Sequence, residues 1–391
     1  ARICGDGKTT RIEILDKDTA NGVVARAADY CRATKEGVHF AVTPPERLGA
    51  DLRSFPPELP AIDAVATSPF FTATGELVVT PGHHASSRTW LELSFDAPIL
   101  PEMPTREDAR LARDLLVREV LHDFPFVGDA DRSHVLALMI QLVARRLIVG
   151  PAPAYFVTAP APGTGKGMLF EVVATIMSGS ELPTSVLPNR EEEIHKTLIA
   201  ETIKGASVIF FDNLKDGRLI DSASLESYLT AGDFGGRVLG ESRIISLPVR
   251  ALVMLNGNNL DLASSLVRRV LAIRLDRNLE RPAEHSGFRH PNLKVWVGEN
   301  RQELLGAVLT MVRAWLLAGR PAAESPVVFG SYQGFADVVA GILSFAGEEG
   351  FLKNRDSLYS DVDEHNQEMR QFVQVWWATH GDKHVSVSEL T

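Results

Sequence analysis

Ala159-Pro160-Ala161-Pro162-Gly163-Thr164-Gly165-Lys166-Gly167-Met168 is the stretch that decides the fold. Tyr155-Phe156-Val157 ahead of it reads as a short strand, and Met168 to Ser178 behind it as a helix stopped by Gly179. Glycines in such a turn let backbone N–H groups converge on phosphate oxygens, and the helix start adds partial positive charge. Lys166 would neutralise the β- and γ-phosphates of a nucleotide, with Pro162, Gly163, Thr164, Gly165, Gly167 and Met168 forming the rest of the cradle. The full pattern asks for Gly, four residues, Gly-Lys, then Ser or Thr. Here Pro160 holds the first place and Gly167 the last, so the hydroxyl that ordinarily ligates Mg²⁺ is missing.

Outward from this loop the chain keeps a strand–helix grammar. Glu191 to Ile203 reads as a helix stopped by Gly205. Val208 to Phe211, Ala251 to Leu255 and Val270 to Ile273 read as buried strands. Uninterrupted apolar strands alternating with helices predict an α/β core, a parallel sheet covered on both faces. Residues 1–100 read as a small mixed α/β region, with strands at Arg11–Leu15, Phe70-Phe71, Leu77–Val79 and Trp90–Leu93 and a helix capped by Asn21. Pro98, Pro101 and Pro104 mark a linker, and Thr105-Arg-Glu-Asp108 reads as a capping box that opens the helices leading into the core. The core is expected over 105–280, and 281–391 as a helical C-terminal region.

Three further places carry chemistry. Phe210-Phe211-Asp212-Asn213 ends an apolar strand with an acid, which makes Asp212 the candidate Mg²⁺ ligand. Asn213, where a glutamate base often stands, could position a water but not take its proton. The triplet Glu191-Glu192-Glu193 could supply a compensating acid, although acids at a helix start are ordinary dipole partners. Leu252–Leu255 runs into Asn256-Gly257-Asn258-Asn259, and Asn256 is the residue expected to reach the γ-phosphate or its water. Ser264–Arg269 precedes the next strand, and Arg268 or Arg269 fits an arginine supplied to a neighbouring subunit's nucleotide. Arg237 to Leu247 reads as a β-hairpin turning at Gly240-Glu241-Ser242; its Arg237 and Arg243, with Arg250, are candidate contacts to nucleic-acid phosphates.

Composition bounds these readings. Apolar residues make up 45% and charged residues 23% of 391 residues, the balance of a globular chain of more than one domain. Cys4 and Cys31 are too few for a disulfide framework or a zinc ribbon, which fits a cytoplasmic setting. The longest apolar run, Val135 to Val149, is broken by Gln141, Arg145 and Arg146, so no membrane span is expected. A net charge of −10 argues against a generally basic, DNA-coating surface but not against a few arginines lining a channel.

Taken in order, Pro162–Lys166, Phe211-Asp-Asn213, Arg237–Gly240, Asn256–Asn259 and Leu266–Arg269 resemble the helicase-like AAA+ ATPases of phages and mobile elements, near the superfamily 3 helicases. Gly287-Phe-Arg-His-Pro291 and Val375-Trp-Trp377 look similar to the same group. The resemblance implies ATP and Mg²⁺ as cofactors, a homo-hexameric ring that moves on single-stranded or forked DNA in replication, and a primase as a further partner. It also implies Walker A and B roles for the first two motifs, a sensor role for Asn256, and an arginine finger at Arg268 or Arg269. Two other readings stay open: a weakly hydrolysing, nucleotide-gated platform that loads a partner, suggested by Gly167 and Asn213, and a protein-remodelling ring with Phe234 as its pore aromatic. Val385 to Leu390 looks like the start of a winged helix, and the opening residues suggest a preceding segment.

Overall fold

A computed structural model describes residues 2–5, 10–54, 60–237, 244–277 and 287–381. Arg243, the hairpin turn at 240–242, the side chain of Arg237 and the piece at 385–390 lie outside the described residues. The centre is a five-stranded sheet of β1 (Ala154–Ala159), β2 (Thr184–Ser185), β3 (Val208–Leu214), β4 (Leu252–Asn258) and β5 (Val270–Arg274). Every pairing is parallel and the order is β2-β3-β4-β1-β5. The chain thus leaves β1 for the far edge, returns strand by strand to β1's flank, and crosses to its other side. All five strands point their carboxyl ends the same way, and in open sheets of this kind ligands bind beyond those ends.

Alternation explains why these strands read as continuous apolar runs. Tyr155, Val157, Phe210, Met254, Leu271 and Ile273 face one core; Ala154, Phe156, Ile209, Phe211, Val253, Leu255 and Ala272 face the other. The first face is covered by α1 (Arg106–Leu115), which runs on into a π-helical turn, Leu116–Val120, and by α2 (Asp129–Ala144) and α3 (Lys166–Ser178). The second is covered by α4 (Glu191–Ile203), α5 (Ala223–Thr230) and the short α6 (Ser264–Val267). Then α7 (Leu293–Glu299), α8 (Arg301–Leu317) and α9 (Gln333–Phe345) add apolar side chains to the first core, and α10 (Arg355–His380) ends the described chain. Tyr155, Phe170 and Phe211 are fully buried; truncating such an aromatic costs about 3–5 kcal/mol, so each helps hold sheet and helices together.

The caps match their sequence signals where the partners are local. Thr105 and Asp108 exchange hydrogen bonds at 2.7 and 3.3 Å and start α1. In the N-terminal region the helix is Lys17–Ala27, capped by Asp16 rather than by Asn21; Asn21 instead accepts the Gly49 N–H of the next helix. This region joins the core just behind α4, where Ile12 N–H donates to the Lys204 carbonyl and Val65 N–H to that of Gly205.

A buried polar joint ties the helices to the sheet. The Asp131 carboxylate accepts the N–H groups of Gly128 and Arg274 and the amide of Asn354, linking the start of α2 to the end of β5 and the foot of α10. Next to it, His134 Nδ1 donates to the Ala272 carbonyl at 2.7 Å while its Nε2 accepts Leu352 N–H at 3.3 Å. Accepting at Nε2 requires the neutral ring with its proton on Nδ1, and burial lowers its pKa to about 4.

Candidate functional site: a phosphate loop facing an Asp–Asn pair

The loop between β1 and α3 takes its shape from two glycines. Gly163 and Gly165 have φ of 80° and 100°, left-handed values that side chains rarely adopt. Gly165 is the N-cap of α3, so the unpaired N–H groups of that helix start open onto the carboxyl end of β1. Lys166, the first helical residue, is only 8% exposed, and its Nζ donates to Asn258 Oδ1 at 2.5 Å and to Thr164 Oγ1 and the Ala161 carbonyl at 3.3 Å. Burial lowers the ammonium's pKa, and the Asp216 carboxylate works the other way. An anion at this position would share the lysine's charge in a partly dry setting, where attraction is stronger than in water.

Across from the loop, β3 and β4 bring their polar ends together. The β3–β4 register shifts between Phe211 and Leu214, and Asn213 sits in this irregularity with φ 50° and an exposed side chain. Asp212 is thereby turned onto Asn256, whose Nδ2 donates to Asp212 Oδ1 at 2.7 Å. Asn256 is 5% exposed, and its Oδ1 is buried without a partner among the described residues. An unpaired buried acceptor costs free energy unless a donor arrives; a water held beside Asp212 would supply one.

The structure divides the expected site residues into groups. Pro162 to Met168, Asp212, Asn213 and Asn256 gather at the carboxyl end of the sheet. Asn258, quoted within its motif but not singled out, is the residue that touches Lys166, because the register sets it opposite Ala159 at the mouth of the loop. Its neighbour Asn259, with φ 41°, donates to Asp216. The acidic triplet is spent elsewhere: Glu191 accepts Ser224 N–H, and Glu192 and Glu193 pair with Lys196. Phe234 is buried between the rings of Tyr228 and His195, so it is no pore aromatic.

Arg268 and Arg269 stand at the opposite, amino end of the sheet, where the Arg269 carbonyl accepts Ala154 N–H. The length of β1 separates that end from the loop, roughly 17 Å at about 3.3 Å per residue. Arg269 is engaged by the Ser265 carbonyl and by Glu226 at 3.5 Å, whereas Arg268 is exposed. Arg250, also exposed, lies just ahead of β4 at that same end, after the antiparallel hairpin Asp233–Arg237/Ile244–Pro248. Arg250 is near enough to Arg145 and Arg146 to add to the burial that lowers both to about 10.

No protein-family model matches the chain, and no curated protein matches it. Among solved structures, an A-form apo structure of the NrS-1 C-terminal region aligns at 12% identity and a TM-score of 0.30, over 54% of this chain and 46% of that one. A second apo structure of that region aligns at 10% identity and 0.33, over 66% and 56%. A JCV helicase structure aligns at 13% identity and 0.25, over 66% and 73%. This chain thus spans about half the length of the two NrS-1 structures. At these scores the functional reading rests on the site's own geometry. Among the described residues no helix is long and apolar enough to cross a membrane, and no cluster of three metal-ligating side chains occurs.

Proposed function

We propose that the chain is a P-loop ATPase that works as a ring-forming helicase or translocase on DNA, as in the replication of a phage or mobile element. The observation that carries the reading is the meeting of Lys166, on a glycine-shaped helix start, with Asp212, Asn256 and Asn258 at the ends of two neighbouring parallel strands. Phosphates would lie on the α3 N-terminus, with Lys166 exchanging Asn258 for a γ-phosphate oxygen. Asn258 would then be free to contact that phosphate, and Asn256 would hold Asp212 in place and orient a water with its unpaired Oδ1.

The residues fit a magnesium ion delivered with the nucleotide. Asp212 offers a carboxylate, and a Cβ built on Gly167 meets nothing within 4 Å, which leaves room for water where a hydroxyl would otherwise stand. Such an ion would supply positive charge to offset that of the phosphates. The exposed Arg268 cannot reach its own chain's loop, so its catalytic use requires a neighbour in a ring. Exposed Arg250, with the hairpin beside it, is the proposed DNA contact.

Steady-state ATPase activity with and without single-stranded DNA tests this reading. Turnover should rise with DNA and fall with salt, because phosphate contacts release counterions. Nucleotide binding with slow turnover that DNA leaves unchanged would instead support the gated platform, the reading that Gly167 and Asn213 favour.

A further inference from the structure

Asn213 offers no proton acceptor, but a carboxylate stands three residues further on, at Asp216. Past the end of β3, Lys215 to Arg218 form a β-turn, closed by Arg218 N–H on the Lys215 carbonyl at 3.1 Å. Its third residue, Gly217, takes φ 65°, a value that favours glycine. The turn is fastened on both sides. Leu214 before it and Ile220 after it are buried. The Arg218 guanidinium donates to the Leu187 and Pro188 carbonyls at 3.0 and 2.8 Å. Leu219 and Ile220 then pair in parallel with Asp261 and Leu262. Asp216 is left exposed at the tip of an anchored turn.

The end of β4 aims this carboxylate at the phosphate loop. Asn259 is pinned at the mouth of the loop, its N–H donating to the Ala159 carbonyl at 3.2 Å. Its Nδ2 donates to Asp216 Oδ1 at 3.1 Å, and Asp216 Oδ2 has no hydrogen-bond partner among the described residues. The preceding residue, Asn258, accepts from Lys166. Consecutive asparagines thus hold the ammonium and the carboxylate, and the Asp216 charge reaches the Lys166 ammonium and favours its charged form. The other acids near the site are committed. Asp212 accepts from Asn256, Glu191 accepts from Ser224, and Glu192 and Glu193 pair with Lys196.

We infer that Asp216 is the catalytic base that takes the proton of the attacking water, in place of the carboxylate missing at Asn213. The inference rests on the phosphate-loop reading of Lys166. A lone pair of the water oxygen forms the new bond to the γ-phosphorus. The bond from that phosphorus to the β–γ bridging oxygen breaks, and its electron pair leaves on the nucleoside diphosphate. The water's proton passes to Asp216 Oδ2 and from there to solvent, which returns the carboxylate to its starting state.

The test is ATP turnover and equilibrium ATP affinity of the full chain in wild type, Lys166→Ala, Asp216→Asn and Asp216→Ala, with magnesium titrations and melting curves alongside. Asp216→Asn should lower kcat by about 10²-fold or more, the usual worth of a positioned base. It should bind ATP as tightly as wild type or tighter, because a negative charge near the phosphates is gone. Asp216→Ala should regain turnover when formate, a small carboxylate base, is added. Turnover of Asp216→Asn within about threefold of wild type overturns the assignment. So does a deficit that saturating magnesium abolishes, which makes Asp216 a metal group, and a deficit in Asp216→Ala that formate does not relieve. Wild type that binds ATP without turning it over overturns the base and leaves the phosphate loop standing. Turnover that survives Lys166→Ala fells the phosphate-loop reading, and this one with it.

Discussion

Gly167 stands where a hydroxyl ordinarily meets the nucleotide's metal ion, in the second position of α3. The space around its missing Cβ is open. Gly167→Ser should therefore be accepted, should stabilise the helix by about 0.5 kcal/mol through lower chain entropy, and should lower the Mg²⁺ concentration at half-maximal ATPase activity. An unchanged magnesium titration would place the ion away from this residue. The two asparagines of β4 separate in a second experiment. Asn258→Ala should cut turnover by about 10²-fold, as loss of one charge-stabilising donor does elsewhere, while Asn256→Ala should also raise the Mg²⁺ concentration at half-maximal activity because it releases Asp212. Equal behaviour of the two variants in magnesium titrations would contradict their division of labour. The loop was legible in the sequence because glycine turns and helix starts are local. The choice between Asn256 and Asn258 was not, because it is made by the register of β4 against β1, where Asn258 falls opposite Ala159.

At the scale of elements, the separation between the loop and the end of the sheet that carries α6 is what matters. Arg268 is exposed at the amino end of β5 and Arg269 is braced by Glu226. Arg268→Ala should leave ATP affinity intact and lower turnover by about 10³-fold or more, as arginine fingers do. Mixing it with Lys166→Ala should restore part of the activity, since every mixed ring contains at least one intact interface in which each chain supplies what the other lacks. A mixture as inactive as its parts would contradict a site shared between copies. Sequence patterns found α4 from Glu191 to Ile203 and the strand at Val270, because apolar periodicity and stop signals are local. They missed the helix start at Asp16 and the burial of Phe234, which depend on Asn21 bonding Gly49 and on the rings of Tyr228 and His195.

The molecule as a whole is joined through buried polar groups that no linear pattern reveals. His134 is fully buried and neutral, with a pKa of about 4. As pH falls from about 6.5 the unfolded chain binds the proton first, so the stability this ring contributes is complete above that pH and drains as pH approaches 4. The loss amounts to about 3 kcal/mol at roughly 1.4 kcal/mol per unit. Burial raises Asp131 and Glu348, which act in the opposite sense, so the histidine's share is the difference between wild type and His134→Asn. Denaturant unfolding between pH 7 and pH 4.5 should show a shallower pH dependence in the variant; parallel curves would refute the assignment.

Lys166 and Asp212 are proposed to form one phosphate-transfer site, and steady-state ATP hydrolysis by wild type, Lys166→Ala and Asp212→Asn is the measurement that decides it. Wild type should show measurable magnesium-dependent turnover, lost in both variants while their melting curves stay those of a folded chain. Wild-type turnover that survives Lys166→Ala, or its complete absence in every condition, would contradict it.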